Sequence, residues 1–333
     1  TKMYPQAADG SDPMWDRDAV HDIYRGWREL FNEYQPAKYA VGESWTPFSD
    51  RVFQYARQDE LGAIFDFSLE KAAWNRDEYR HTVERTRRYA IEAGTAPTWV
   101  LGNHDVPRIA SRLGVPSGTD IEAWVTSDGT EPVIDPAAAA RRARAAALIM
   151  LGLPGTAFVY QGEELGLPED FDLRPEELQD PIWERGRHTF KGRDGCRVPL
   201  PWTGDRETAY GFSGSGKSWL PQPAWFADYA ACLQSDDVNS SLNMYRKAID
   251  LRRCMVRCGD DAALEWLDPD LCGDDGFGWK LPSGMMVLAN FSAVHALTLP
   301  SEVKMLLCSR ADDDHNADSH QVPPESTVWY ICR

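Results

Sequence analysis

The sequence has no long apolar segment and no excess of basic residues. No apolar run approaches the ~20 residues that a membrane-spanning helix needs, and the first residues resemble neither a signal peptide nor an Arg-rich presequence. Asp and Glu number 52 against 35 Lys and Arg, giving a formal net charge of −17, whereas phosphate binding requires a basic surface. We therefore expect a cytoplasmic protein that binds neither a membrane nor nucleic acid. A neutral small molecule such as a sugar is compatible with this charge.

Cysteine is also scarce. The seven cysteines are an odd number dispersed through a long chain, which favours reduced thiols over a disulfide framework. Cys254 and Cys258 are close together, but no second Cys or His pair follows to complete a metal site. We predict no metal site in this sequence and no cofactor.

Strand and helix patterns alternate through the first 160 residues. Short apolar runs that end in polar residues occur at 39–41, 63–67, 99–101 and 155–160. Amphipathic segments with helical spacing occur at 15–34, 51–61, 77–93 and 136–151. This alternation predicts an α/β fold in which a parallel sheet is connected by crossover helices.

Two acidic residues follow two of these predicted strands. Glu43 and Asp105 are 62 residues apart, with one further strand between them. An eight-stranded α/β barrel of about 250 residues averages about 31 residues per unit, so the two carboxylates are expected on one rim, two strands apart. Four strands cannot close such a barrel. The sequence therefore predicts half of a (β/α)8 barrel.

The rest of the chain changes character twice. Residues 165–225 are rich in Pro, Gly and charge with little periodicity, which is typical of a long functional loop. Residues 242–256 have helical spacing, and short β-like runs separated by turns follow from residue 263. We expect a partial catalytic barrel over residues 1–258 and a small antiparallel β domain over residues 259–333.

Five strings of sequence resemble one family. They are YAVGESW at 39–45, VLGNHDVPR at 100–108, GLPGTAFVYQGEELGL at 152–167, DPIW at 180–183 and GRDGCRVPLPW at 192–202. In this order and spacing they closely resemble the α-glucosidase and oligo-1,6-glucosidase branch of glycoside hydrolase family 13, the α-amylase family. The resemblance covers nearly the whole chain and implies that the four strands are strands five to eight of the family barrel.

The resemblance implies a role for four residues. Family members hydrolyse α-glucosidic bonds with retention, which requires two carboxyl groups facing the anomeric carbon. Glu43 matches the family's proton donor, and Asp105 matches the carboxylate that holds the sugar hydroxyls near the transition state. His104 would donate to the same sugar. Arg193 would contact the non-reducing glucose and block further sugar units, which makes the enzyme exo-acting.

Each of these residues also has a structural interpretation. Glu43 alone reads as a solvated turn residue, His104 as a satisfied turn histidine, and Arg193 with Asp194 as a surface ion pair of little consequence. The functional roles are preferred because the residues occur within the matching strings.

The sequence departs from the family pattern in one respect that matters for activity. The family nucleophile is an aspartate in a Gly-Phe-Arg-Ile-Asp type string upstream of the proton donor, and no such string occurs here. We expect the chain to be the carboxyl-terminal part of a longer protein and to be inactive by itself.

The leading function is a retaining, exo-acting α-glucosidase for short oligosaccharides of the maltose or isomaltose type. The alternatives are a glucosyl isomerase, such as a trehalose or isomaltulose synthase, and a non-catalytic family member.

Overall fold

The computed structural model describes residues 16–44, 50–257, 259–310 and 320–332. Trp15 at the start of the first predicted helix, Trp45 at the end of the first matching string, and Cys258 lie outside the described residues. The helices are α1 (Asp18–Asn32), α2 (Asp50–Gln54), α3 (Ser68–Lys71), α4 (Arg76–Glu92), α5 (Ile109–Arg112), α6 (Ile121–Thr126), α7 (Pro136–Gly152), α8 (Pro181–Arg185), α9 (Ala231–Asp236), α10 (Ser241–Met255) and α11 (Pro269–Cys272). The strands are β1 (Ala40–Gly42), β2 (Gly62–Ile64), β3 (Thr98–Val100), β4 (Thr156–Phe158), β5 (Glu265–Trp266), β6 (Gly276–Lys280), β7 (Met286–Asn290), β8 (Leu297–Thr298), β9 (Val303–Cys308), β10 (Gln321–Val322) and β11 (Ser326–Cys332).

The four predicted barrel strands pair in parallel and in chain order. Strand β1 pairs with β2, and β3 pairs with β4, both in parallel register. A parallel bridge between Asp66 and Trp99 joins the two pairs. Parallel neighbours require crossover connections, which the helices between the strands supply. The expected half barrel is confirmed.

The two long barrel helices begin with the signals that the sequence carries. Asn75 caps α4 by accepting hydrogen bonds from the backbone N–H groups of Asp77 and Glu78. Asp135 caps α7 in the same way, with Pro136 at its first position, where a missing N–H costs nothing. Most of the alanine-rich α7 is buried, so this helix forms the centre of the molecule.

A predicted helix over 51–61 is wrong in its second half, because α2 ends at Gln54. The chain turns instead, and Leu61 N donates to Tyr55 O at 3.1 Å. This turn places the fully buried Glu60 carboxylate 2.7 Å from His21 Nδ1 and 3.2 Å from Arg25 Nη1, both on α1. A tertiary ion pair therefore overrides the local helical pattern.

The predicted antiparallel sheet after the barrel is confirmed. Its strands lie in the order β5-β6-β7-β11-β9, and every pair is antiparallel. The sheet packs on α7 and α10 through one shared apolar cluster. Trp279 and Trp329, both fully buried, donate their indole N–H groups to Gly152 O at 3.1 Å and Leu148 O at 3.0 Å.

Side chains also satisfy the other carbonyl groups where α7 ends. Arg252 on α10 donates from Nη1 to Leu151 O at 2.5 Å and Leu153 O at 2.6 Å. Its Nη2 donates to Gly155 O at 2.6 Å. The last carbonyls of a helix have no partners within it, so these contacts close the end of α7.

The predicted loop over 165–225 is folded around its own apolar cluster. The buried members of this cluster are Leu165, Leu167, Leu173, Val198, Leu200, Tyr210, Leu220 and Phe226. Helix α8 and several short 3-10 turns lie within the segment. The segment is therefore a packed layer over the strand ends, and its position is fixed.

Helix α1 is amphipathic as predicted, but it leaves apolar side chains open to solvent. Its only buried residue is His21. The large apolar residues that remain about half exposed are Ile23, Trp27 and Leu30, together with Tyr34 just after the helix. Among the described strands, β1 pairs only with β2 and β4 only with β3. Within the described ranges no helix has the length and apolar character needed to cross a lipid bilayer.

Candidate functional site

The candidate site lies where the four parallel strands end. Glu43 follows β1, the Asn103 to Asp105 segment follows β3, and the string beginning at Gln161 follows β4. Because parallel strands end at the same edge of a sheet, these polar groups lie on one rim, as α/β barrels arrange their chemistry. Residues 180–197 of the packed layer lie over the same rim.

The polar turn after β3 is held by its own asparagine. Asp105 N donates to Asn103 Oδ1 at 2.7 Å, which is an Asx-type turn. The other end of the Asn103 amide donates from Nδ2 to Glu70 Oε2 at 2.9 Å. The position of Asp105 therefore depends on Asn103, and Asn103 contacts Glu70.

Two arginines bind the Asp105 carboxylate. Arg193 Nη1 donates to Asp105 Oδ1 at 2.8 Å, and Arg197 Nη2 donates to the same oxygen at 2.9 Å. Arg197 Nε also donates to His104 O at 2.7 Å. The His104 ring lies beside this group, with Nε2 3.5 Å from Asp105 Oδ1 and more than half of its side chain exposed. The structure thus brings Asp105, His104 and Arg193 together.

Arg193 is fixed from behind by a buried carboxylate. Its Nε donates to Asp180 Oδ2 at 2.6 Å and its Nη2 to Asp180 Oδ1 at 3.0 Å, a bidentate arrangement. Burial favours the neutral form of Asp180, but hydrogen bonds from Arg193 and from the backbone of Ile182 hold its pKa at about 2. Asp180 is therefore a fixed negative charge that orients the Arg193 guanidinium plane.

Arg108 connects the three segments that form the site. Its side chain donates to Gln161 O and to Cys196 O, both at 2.8 Å. Its backbone N–H donates to Glu169 Oε2 at 2.8 Å. One buried side chain thus joins the ends of β3 and β4 to the packed layer that carries Arg193.

Glu43 lies just after the end of β1. It is exposed and lines a cavity of about 420 Å3 between β1 and α1, together with Asp16, Trp27 and Tyr55. Both Glu43 and Asp105 lie close enough to Glu70 for their negative charges to act on it. Glu70 therefore interacts electrostatically with both carboxylates.

Three carboxyl groups are buried beneath the rim. Burial is the main cause that raises the pKa of Glu70 and of Glu169 to about 7, and that of Glu163 to about 8. Glu163 is tightly enclosed, since a methyl group at Gly102 would lie 2.7 Å from its Oε1. Among the described residues, neither oxygen of Glu163 has a hydrogen-bond partner.

Sequence reasoning did not assign Asp180, Arg197 or Glu70 to the site. Asp180 and Arg197 lie inside the strings at 180–183 and 192–202, so their position in those strings was an available signal. Glu70 gives no such signal, because the sequence does not distinguish a buried glutamate on a helix from an exposed one. Within the described ranges, no group of three or more His, Cys, Asp or Glu side chains is arranged to hold a metal ion.

The chemistry available here is recognition of a hydroxyl-rich neutral molecule. Asp105 accepts hydrogen bonds, whereas Arg193, Arg197 and His104 carry donors around it. Charge-assisted hydrogen bonds of this kind are stronger than neutral ones, and the fixed guanidinium planes give them direction.

Known proteins resemble this chain along most of its length. It is 25% identical over 268 residues to Maltase 1 of Drosophila virilis, covering 76% of this chain and 38% of that protein. It is 24% identical to the oligo-1,6-glucosidase of Parageobacillus thermoglucosidasius, covering 97% of this chain and 60% of that protein. The crystal structure of the alpha-glucosyl transfer enzyme XgtA superposes with a TM-score of 0.71 at 28% identity, covering 95% of this chain and 55% of that chain.

The chain spans between 38% and 60% of the length of these three proteins. The alpha-amylase family, described by its catalytic domain, matches residues 2–258, which is most of the chain. On this match, the chain belongs to the α-amylase family of glycoside hydrolases.

Proposed function

We propose that the protein to which this chain contributes is a retaining, exo-acting α-glucosidase that hydrolyses short oligosaccharides of the maltose or isomaltose type. The observation that carries the proposal is the pair of hydrogen bonds that Arg193 and Arg197 donate to Asp105, beside His104, at the end of β3. Maltase and oligo-1,6-glucosidase relatives support the same class of substrate.

The proposed roles follow from the chemistry of each group. Glu43 protonates the leaving glycosidic oxygen and later activates water, as retaining hydrolysis requires. Asp105 accepts hydrogen bonds from the glucose hydroxyls, and these strengthen as positive charge develops on the ring. His104 donates to the same glucose. Arg193, fixed by Asp180, closes the site beyond the non-reducing end.

We further propose that the 333-residue chain does not hydrolyse glucosides by itself. The sequence contains no counterpart of the family's nucleophilic aspartate, and it spans about half of its relatives. Without a nucleophile the covalent intermediate cannot form, and losing such a group costs many orders of magnitude in rate.

The test is release of p-nitrophenol from p-nitrophenyl α-glucoside. The isolated chain is expected to give none, and a longer polypeptide that adds the upstream half of the barrel is expected to be active. In that active form, Glu43→Gln and Asp105→Asn should each reduce kcat/KM by about 10²-fold or more. Turnover by the isolated chain would refute its proposed inactivity, and unchanged turnover in both variants would refute the roles of Glu43 and Asp105.

Glucosyl transfer within the same fold is the second candidate. It is favoured by the structural likeness to an alpha-glucosyl transfer enzyme, in a chain that is also similar to hydrolases. Incubating the active form with maltose or sucrose separates the two functions. Hydrolysis accumulates glucose, whereas an isomerase such as a trehalose or isomaltulose synthase accumulates a new disaccharide. A non-catalytic family member would yield neither product.

A further inference from the structure

We propose that Glu70 is a positioning residue that fixes the orientation of the Asn103 amide and, through it, the turn that presents Asp105. This inference deepens the proposed function, because it explains how the substrate-binding carboxylate is held. The hydrogen-bonded route from Glu70 to Asp105 runs through Asn103.

The contacts form one chain from the interior to the rim. Glu70 lies on the short helix α3, and only 1% of the residue is exposed. Its Oε2 accepts from Asn103 Nδ2 at 2.9 Å, and Asn103 Oδ1 accepts from Asp105 N at 2.7 Å. Both ends of the Asn103 amide are therefore used, one inward and one toward Asp105.

The backbone around these groups is also held. Arg112 donates from Nη1 to the Glu70 carbonyl oxygen, and from Nη2 to Leu101 O at 2.5 Å. This one guanidinium connects α3 to the end of β3. Arg112 therefore holds the backbone of Glu70 near Leu101, two residues before Asn103.

An ionised carboxylate can only accept hydrogen bonds. It therefore requires Asn103 to point its NH₂ group inward, and the amide oxygen must then face Asp105 N. A protonated carboxyl or a glutamine offers a donor as well as an acceptor, so it no longer selects one orientation of Asn103, and only the Asp105 N–H, which needs an acceptor, still does. The charged form of Glu70 adds a second constraint that favours the same state of the turn.

The charge state of Glu70 is balanced near neutral pH by the groups that face it. Burial is the largest effect and raises its pKa to about 7, and the negative charges of Asp105 and Glu43 act in the same direction. The positive charges of Arg112 and Lys71 oppose them. Among the described residues Glu70 Oε1 has no hydrogen-bond partner, so no donor stabilises the charged form at that oxygen.

Nuclear magnetic resonance on the perdeuterated, ¹⁵N-labelled chain tests this inference without any turnover. The reporters are the side-chain amide of Asn103 and the backbone amide of Asp105, followed from pH 5 to pH 9 in a His104→Gln background that removes the neighbouring imidazole. Both signals are expected to shift with a common midpoint near the Glu70 pKa of about 7. Glu70→Gln should abolish that shared titration.

Two further variants complete the design. Glu60→Gln removes a buried carboxyl that pairs with His21 and Arg25 near the beginning of β2, and it should leave both reporters titrating. Asn103→Ala keeps Glu70 but removes the link, so the Asp105 amide should stop following pH even if Glu70→Gln does not fold. Unchanged titration in Glu70→Gln or Asn103→Ala, or pH-independent reporters in the parent chain, would overturn the proposal. If the protein proves to have no glycosidase activity, these signals are unaffected, so the two proposals fail separately.

Discussion

Asp105 and Asp180 share one guanidinium, because Arg193 donates to the first at 2.8 Å and to the second at 2.6 and 3.0 Å. The Asp180 side chain is fully buried, whereas about a third of the Arg193 side chain is exposed. Arg193 therefore has a structural role as well as the proposed contact with substrate.

Arg193→Ala should lower the free energy of unfolding by about 2 kcal/mol at pH 7, since it leaves a buried carboxylate without its main partner. The value is set below that of a fully buried pair because Arg193 is partly exposed. Urea denaturation measures it. Arg174→Ala is the matched control, because Arg174 pairs with Glu177 at the surface and should leave stability nearly unchanged. Equal effects in the two variants would contradict this prediction.

The same contact gives a prediction for acid unfolding. The folded-state pKa of Asp180 is lowered from 3.8 to about 2, so its stabilising contribution is complete above pH 4 and is lost as the pH falls toward 2. In Arg193→Ala, burial remains while the partner is gone, so the loss should begin at a higher pH. The free energy of unfolding is measured between pH 2 and pH 7 for the parent chain and for Arg193→Ala. If both lose stability over the same acidic pH range, this role for Arg193 is excluded.

Glu163 should make the protein less stable as the pH rises. Burial raises its folded-state pKa from 4.5 to about 8, so its contribution is complete below pH 4.5 and is lost as the pH rises to about 8. Glu163→Gln keeps the shape without the charge and should flatten this decline by up to about 1 kcal/mol per pH unit. Denaturation at pH 5, 6, 7 and 8 measures the slope. Glu184→Gln, at an exposed position that pairs with His188, is the control and should leave the slope unchanged.

The open apolar side of α1 should cause the chain to self-associate. A triple variant, in which Gln replaces Ile23, Trp27 and Leu30, removes three apolar side chains that are each about half exposed. They lie near β1, which among the described strands pairs on one side only. We expect the parent chain to increase in mass with concentration in light scattering, and the triple variant to stay monomeric. A control that replaces Val133, Val238 and Val294, which are more exposed but lie in other parts of the chain, should behave like the parent. Identical masses for all three proteins would disprove the prediction.

Glu325 joins the barrel to the sheet. Its two oxygens accept from Arg141 and Arg142 on α7, each at a shortest distance of 2.7 Å, and its side chain is 3% exposed. Glu325→Ala should lower the free energy of unfolding by about 3 kcal/mol, because two partly buried arginines lose their partner. Glu302→Ala, at an exposed position just before β9 of the same sheet, should change it by less than about 0.5 kcal/mol. A smaller loss for Glu325→Ala than for this control would contradict the assignment.

The strand order and the Asn103 to Asp105 turn were predictable because their signals are local. Apolar runs that stop at polar residues indicate buried parallel strands. The caps Asn75 and Asp135 mark helix starts through hydrogen bonds to residues only two or three positions later. The early end of α2 was not predictable, because the turn that follows it is held by a hydrogen bond between Glu60 and His21, 39 residues apart.

The network around Asp105 escaped prediction for the same reason. Arg197 reaches Asp105 across 92 residues of chain, and Asp180 fixes Arg193 through a fold of the packed layer. Residues 165–225 lack periodicity because short turns build that layer, and its apolar residues follow no regular spacing. A single sequence carries no trace of which buried acids meet which arginines.

The end of α7 carries a consequence for how the molecule comes apart. Its terminal carbonyl oxygens are satisfied by Trp279 and Trp329 from the sheet and by Arg252 from α10. Separating the sheet from the barrel would break those hydrogen bonds and expose to water the apolar cluster that the sheet shares with α7. We therefore expect barrel strands and sheet to unfold together, as one calorimetric peak.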